Sequence, residues 1–148
     1  MTSKLSTFAR ASVTPIALLL ALAGTSTPAN ADTTPWEQSE GGRMRVISLP
    51  ADQTGRMDAV LQIELKPGWI TYWREPGEAG IPPKITLEPS SGATLTSLSF
   101  PVPDLIENGE MKDIGYDRSV SLPFVLQAQP GSDEANAKLT AFIGVCLN

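Results

Sequence analysis

The chain contains no histidine and a single cysteine in 148 residues. A Ser-His-Asp triad or a Cys-His dyad needs an imidazole to take the nucleophile's proton, so neither can be assembled within this chain. Histidine-based zinc or copper sites and Cys-x-x-Cys redox motifs are excluded by the same two counts. Met44, Met57 and Met111 are too scattered for a copper-binding cluster and are expected to be packing residues. Gly-rich phosphate-binding signatures are missing too, because the Gly41-Gly42 pair precedes a predicted strand and lacks the required spacing. Asp133-Glu134 sits in no calcium-loop pattern. No cofactor is expected.

Long apolar runs are equally scarce. The longest starts near the N-terminus, where Lys4 and Arg10 precede eleven residues from Val13 to Ala23, followed by Ala29-Asn30-Ala31. A helix needs about 20 apolar residues to cross the hydrocarbon core. The layout is that of a secretory signal peptide, with cleavage expected between Ala31 and Asp32. Residues 32–148 are then one domain of 117 residues, expected in the periplasm. The whole chain carries a net charge of −5, and residues 32–148 hold nine basic against sixteen acidic side chains, or −7. An acidic domain is a poor partner for nucleic acid, and no basic amphipathic stretch points to a lipid surface.

What the chain does have is punctuation: Pro and Gly recur between short apolar or alternating runs. Strands are predicted at Arg43 to Leu49, Met57 to Leu65, Trp69 to Arg74, Lys84 to Leu87, Thr94 to Phe100, Val120 to Gln127 and Lys138 to Val145. In the second, Met57, Ala59, Leu61, Ile63 and Leu65 alternate with Asp58, Gln62 and Glu64, Val60 being the one apolar exception. In the seventh, Leu139, Ala141, Ile143 and Val145 alternate similarly. Gly131 to Asn136 reads as a polar hairpin loop. Seven or more short strands predict an all-β sandwich.

The most distinctive stretch runs from Pro67 to Pro83, where Pro67-Gly68 and Pro76-Gly77 bracket an aromatic strand. Each Pro-Gly pair suits a tight turn. Between them Trp69, Thr71 and Trp73 face one way, and Ile70, Tyr72 and Arg74 the other. The strand is read as a core strand with aromatic pairs, in preference to a ligand-binding shelf. Gly80 to Pro83 reads as an extended surface segment.

This stretch, followed by Phe100-Pro101-Val102-Pro103, Gly115-Tyr116, Val120-Ser121-Leu122-Pro123 and Gly144-Val145-Cys146, resembles the N-terminal domains of the DsbD family of thiol:disulfide interchange proteins. The markers span about Trp36 to the last residue. The resemblance implies an immunoglobulin-like β-sandwich at the periplasmic end of a membrane electron-transfer protein. It also implies transfer of reducing equivalents to periplasmic thioredoxin-like or disulfide isomerase proteins, with a membrane electron-transfer domain as a further partner.

By the same resemblance, Cys146 matches the first cysteine of the family's reactive pair. The second follows within a few residues in relatives, whereas this sequence ends at Leu147-Asn148. Two readings stay open: a fragment of a longer reading frame, or a shortened relative without the dithiol chemistry. A lone thiolate can form a mixed disulfide, but a resolving thiol must come from elsewhere before it acts as a thiol-disulfide oxidoreductase. The alternative from the residues alone is a non-catalytic sandwich that binds a protein partner through sheet edges or loops. The family's cysteines lie under a cap loop, which maps to Glu110 to Tyr116 and so to Asp113, Ile114 and Tyr116. Ile114 stands where the family has an aromatic shield. Two readings of Asp113 stay open, a carboxylate that exchanges a proton with the thiol and a solvated loop carboxylate, the second favoured by the residues alone.

Overall fold

The short alternating runs become strands, and no helix occurs among the described residues. A computed structural model describes residues 30–78, 80–88, 92–108, 110–130 and 138–147. Residues 1–29 of the expected signal peptide, which runs to Ala31, and the expected 131–136 loop lie outside the described residues. The strands are β1 (Asp32–Thr33), β2 (Glu37–Gln38), β3 (Gly42–Ser48), β4 (Arg56–Leu65), β5 (Trp69–Gly77), β6 (Lys84–Leu87), β7 (Ala93–Leu98), β8 (Asp104–Asn108), β9 (Met111–Tyr116), β10 (Val120–Ala128), β11 (Leu139–Phe142) and β12 (Val145–Leu147).

All pairings are antiparallel and build a β-sandwich. One layer is a six-stranded sheet in the order β1-β3-β4-β10-β7, with β2 also on β3. Facing it are a four-stranded sheet, β12-β5-β9-β8, and a two-stranded ribbon, β11-β6. The main core is the inward face of β4 and β10, Leu61 and Ile63 with Leu122, Phe124 and Leu126, closed by Ile85 of the ribbon. Leu139, Ala141 and Ile143 pack on that core from β11 and the residue beyond it. The alternation in the sequence is thus the alternation between core and solvent.

Three differences from the sequence reading bear on function. The seventh predicted strand divides at Ile143-Gly144: β11 pairs with β6, and β12 pairs with β5 in a different sheet. Residues 111–116, expected as a loop, form β9 of a hairpin with β8. The two Pro-Gly pairs also behave differently. Gly68 (φ +82°) completes a tight turn closed by Trp69 N donating to Lys66 O at 3.1 Å. Gly77 (φ +91°) instead ends a bulge, because pairing with β9 jumps from Tyr72 opposite Gly115 to Gly77 opposite Asp113. A side chain at Gly77 would meet Lys112 O at 2.5 Å, so β9 runs directly against that backbone.

Met44 and Met57 pack on the core, while Met111 is 45% exposed at the start of β9.

Candidate functional site

Cys146 is the middle residue of β12 and is exposed. It lies opposite Ile70, while Val145 lies opposite Thr71. Cross-strand partners share a face, so the register sorts the four-stranded sheet into two sides. Thr71, Val145 and Tyr116 point inward, and Thr71 is completely buried. Cys146, Ile70 and Tyr72 point outward, on the side shared by Gly115, Asp113 and Ile106. The start of β12 is fixed from within by Thr71, whose hydroxyl donates to Gly144 O at 2.8 Å.

Ile70, Tyr72 and Ile106 form a small second core on this outer side. Tyr72 is covered there by the chain after β5. Glu78 N donates to Lys112 O at 3.4 Å and Lys112 N donates to Glu78 Oε2 at 3.2 Å, which pins the crossing to β9. Gly80 then lies flat on the Tyr72 ring: a methyl there would collide with Tyr72 Cδ1 and come within 2.5 Å of Pro76 Cβ. At Gly144 an added methyl would lie 2.9 Å from Ile81 O and 3.4 Å from Tyr72 Cδ2. Gly115 lies opposite Tyr72 on β9. Gly80 and Gly144 therefore flank the Tyr72 ring, while Gly115 lies against the backbone at Thr71-Tyr72, and Tyr72 is 6% exposed.

Burial first, then the charge of Cys146 and a hydrogen bond with its side chain, and finally the charge of Asp113 push the Tyr72 phenol up to about 12. The Cys146 thiol also lies 3.5 Å from Leu147 O. Asp113 is 3% exposed on the same side of β9. Among the described residues no group of three or more His, Cys, Asp or Glu side chains is arranged to hold a metal ion.

Of the residues expected to form a cap, the structure brings Asp113 to the cysteine's side of the sheet and turns Ile114 and Tyr116 to the other. Tyr116 is 1% exposed, and its hydroxyl donates to Pro101 O at 2.8 Å. Burial, followed by the charge of Asp104, raises its pKa, with Arg118 opposing. The segment covering Tyr72 is the one after β5, where the sequence predicts an extended surface segment. Tyr72 was placed on the correct face of β5 but not beside Cys146. Nothing local signals that register, although the glycines at 80 and 144 mark where backbone and ring approach closely. Trp69 packs inward against Gly41, and Arg74 stacks on Trp73 at 4.4 Å, so no open aromatic shelf forms.

Comparison with known proteins gives these observations a family. Residues 43–148 match the family described as the N-terminal part of the thiol:disulfide interchange protein DsbD. No curated protein matches the chain. Among solved structures it is similar to the N-terminal periplasmic domain of ScsB from Proteus mirabilis, with a TM-score of 0.59 and 25% identity. That match covers 78% of this chain and 51% of the other, so the chain spans about half the length of the ScsB domain. Cys146 falls inside the matched region, and so do all the strands that build its surroundings; the chain belongs to the DsbD N-terminal family of thiol:disulfide interchange domains.

Proposed function

We propose that the domain works in the periplasm and that Cys146 is its exchange nucleophile, passing reducing equivalents to thioredoxin-like or disulfide isomerase proteins. The observation that carries this reading is the exposed sulfur of Cys146 on the outer side of the sheet, in a domain of an interchange family. The Cys146 thiolate attacks one sulfur of a partner disulfide. A new S–S bond forms between them, and the other partner sulfur leaves as a thiolate. A resolving thiolate then attacks Cys146 Sγ, releasing the partner as a dithiol and leaving a disulfide on this side. Two electrons have moved to the partner and two thiols here have become a disulfide. With one cysteine in the sequence, the resolving thiol comes from outside residues 1–148.

The proposal is tested by thiol trapping in acid-quenched cells with a maleimide mass tag, followed by non-reducing electrophoresis and mass spectrometry. A mixed disulfide with a thiol-disulfide protein, lost in Cys146→Ser, is the expected result. A thiol that labels freely or not at all, with no partner attached, would overturn it.

A further inference from the structure

Resting on the reading of Cys146 as the nucleophile, we propose that Ile81 and Phe142 form an apolar landing beside it, against which the exchange partner sets an apolar surface around its own disulfide. Both side chains are exposed, Ile81 by 54% and Phe142 by 55%. Their place follows from the strand phases. On β11, Leu139 and Ala141 turn inward onto the main core, so Phe142 turns outward, opposite Lys84 of β6. A side chain at Gly144 would lie 3.2 Å from Ile81 Cβ and 3.4 Å from Tyr72 Cδ2, which is the outer side that Cys146 shares. Ile81 therefore lies over Gly144, between Phe142 and Cys146. Two residues span at most about 7 Å of chain, which bounds the step from Gly144 to Cys146 on one side and to Phe142 on the other.

A partner caught on Cys146 must cover this ground. Its sulfur lies one S–S bond, about 2 Å, from Cys146 Sγ, so the surface carrying that sulfur is pressed onto the residues around it. Other exposed apolar side chains lie elsewhere. Leu147 is opposite Trp69, on the other side of β12 from Cys146. Met111 is at the far end of β9, and Leu105 is on β8, at the opposite edge of the sheet from β12. Single exposed apolar residues are ordinary on a protein surface. What marks Ile81 and Phe142 is adjacency: an aromatic ring and a branched aliphatic side chain side by side, next to an exposed thiol. Aromatic anchors with apolar neighbours are what interface centres are made of. The remaining outward side chains of the ribbon include Thr86 and Thr140, which are uncharged, and Lys84, so no acidic group there opposes an apolar partner.

The probes are two synthetic peptides, each with a single cysteine joined by a disulfide to thionitrobenzoate. One carries leucine and phenylalanine beside the cysteine, the other serine and glycine. Attack by the Cys146 thiolate forms the Cys146–peptide S–S bond, breaks the peptide–thionitrobenzoate bond and releases coloured thionitrobenzoate, the better leaving group, as a thiolate that takes the electron pair. The purified full chain is expected to react about tenfold faster with the apolar peptide, and Phe142→Ser or Ile81→Ser to cut that preference by about threefold each. Leu49→Ser, at an exposed leucine beyond the end of β3, should keep the wild-type preference. Should Ile81→Ser fail to fold because it lies against Gly144, Phe142→Ser decides alone. Equal rates with the two peptides, or a preference that survives the substitutions, would overturn the proposal while leaving Cys146 as the nucleophile. No release from either peptide would remove the exchange reading and with it this role.

Discussion

Gly80→Ala is the smallest change that probes the cover over the cysteine's neighbours. The backbone at Gly80 is not in the left-handed region, so the methyl meets no conformational penalty of its own. It meets atoms instead: Tyr72 Cδ1 in collision, Pro76 Cβ at 2.5 Å and Tyr72 Cε1 at 2.8 Å. None belongs to a flexible side-chain end, since the Tyr72 ring is 6% exposed and Pro76 is a closed ring. Overpacking of this kind costs about 1–3 kcal/mol. Replacing glycine also narrows the unfolded ensemble, which stabilises by about 0.4–1 kcal/mol. The net expectation is a loss of roughly 0.5–2 kcal/mol, measured by urea unfolding followed through tryptophan fluorescence. A second background isolates the cause. Tyr72→Val removes both ring atoms from the clash but leaves Pro76, so Gly80→Ala should become milder there by about 1 kcal/mol, as a coupling energy between touching residues. An equal cost in both backgrounds would refute the idea that the crossing segment rests on this ring.

Two further outcomes test the surroundings. Thr71→Val deletes the 2.8 Å bond to Gly144 O from a fully buried position and strands a carbonyl. A loss of about 1–3 kcal/mol is expected, together with faster maleimide labelling of native Cys146 as β12 loosens; unchanged stability would show that the clamp is unimportant. The folded-state pKa of Tyr72 is raised from the usual 10 to about 12. Stability owed to the neutral phenol is therefore complete below pH 10 and lost as pH rises through 12. Tyr116 is shifted in the same direction, so Tyr72→Phe should flatten that fall without abolishing it, and wild-type stability that holds level through this range would contradict the burial of both phenols.

The strands of the sandwich core were legible because burial there follows the period of two. Leu61 and Ile63 on β4 and Leu122, Phe124 and Leu126 on β10 are apolar on one face, with turn residues at the ends. The β8-β9 hairpin was not legible, since Leu105 is 62% exposed and the buried members of the pair include a carboxylate, Asp113. Burial that runs against polarity leaves no alternating pattern to read. The site divides along the same line. Cys146 stood out through resemblance, whereas Tyr72 became its neighbour only through the β12-β5 register, a long-range pairing set by Thr71 and Val145 on the opposite face. The bulge at Trp73 to Pro76 was hidden because Pro76-Gly77 is also a good turn signal, and only contact with β9 decides between the two.

The outward aim of Cys146 is itself a product of the core. Leu139, Ala141 and Ile143 pack on the main cluster, and Val145 continues their phase, lying 2.9 Å from where a side chain at Gly41 would be. That period of two persists across the break at Ile143-Gly144, although the strand exchanges one sheet for another there. Four apolar side chains in phase leave the next residue no choice of side, so Cys146 emerges opposite Ile70 and diagonal to Tyr72. Moving the strand by one residue would send the thiol into the core and Val145 outward, a change opposed by every apolar contact along that face. Cys146 thus takes its side of the sheet from the residues that precede it, and Gly144 serves two needs: its carbonyl accepts from Thr71, and its missing side chain leaves room for the Tyr72 ring.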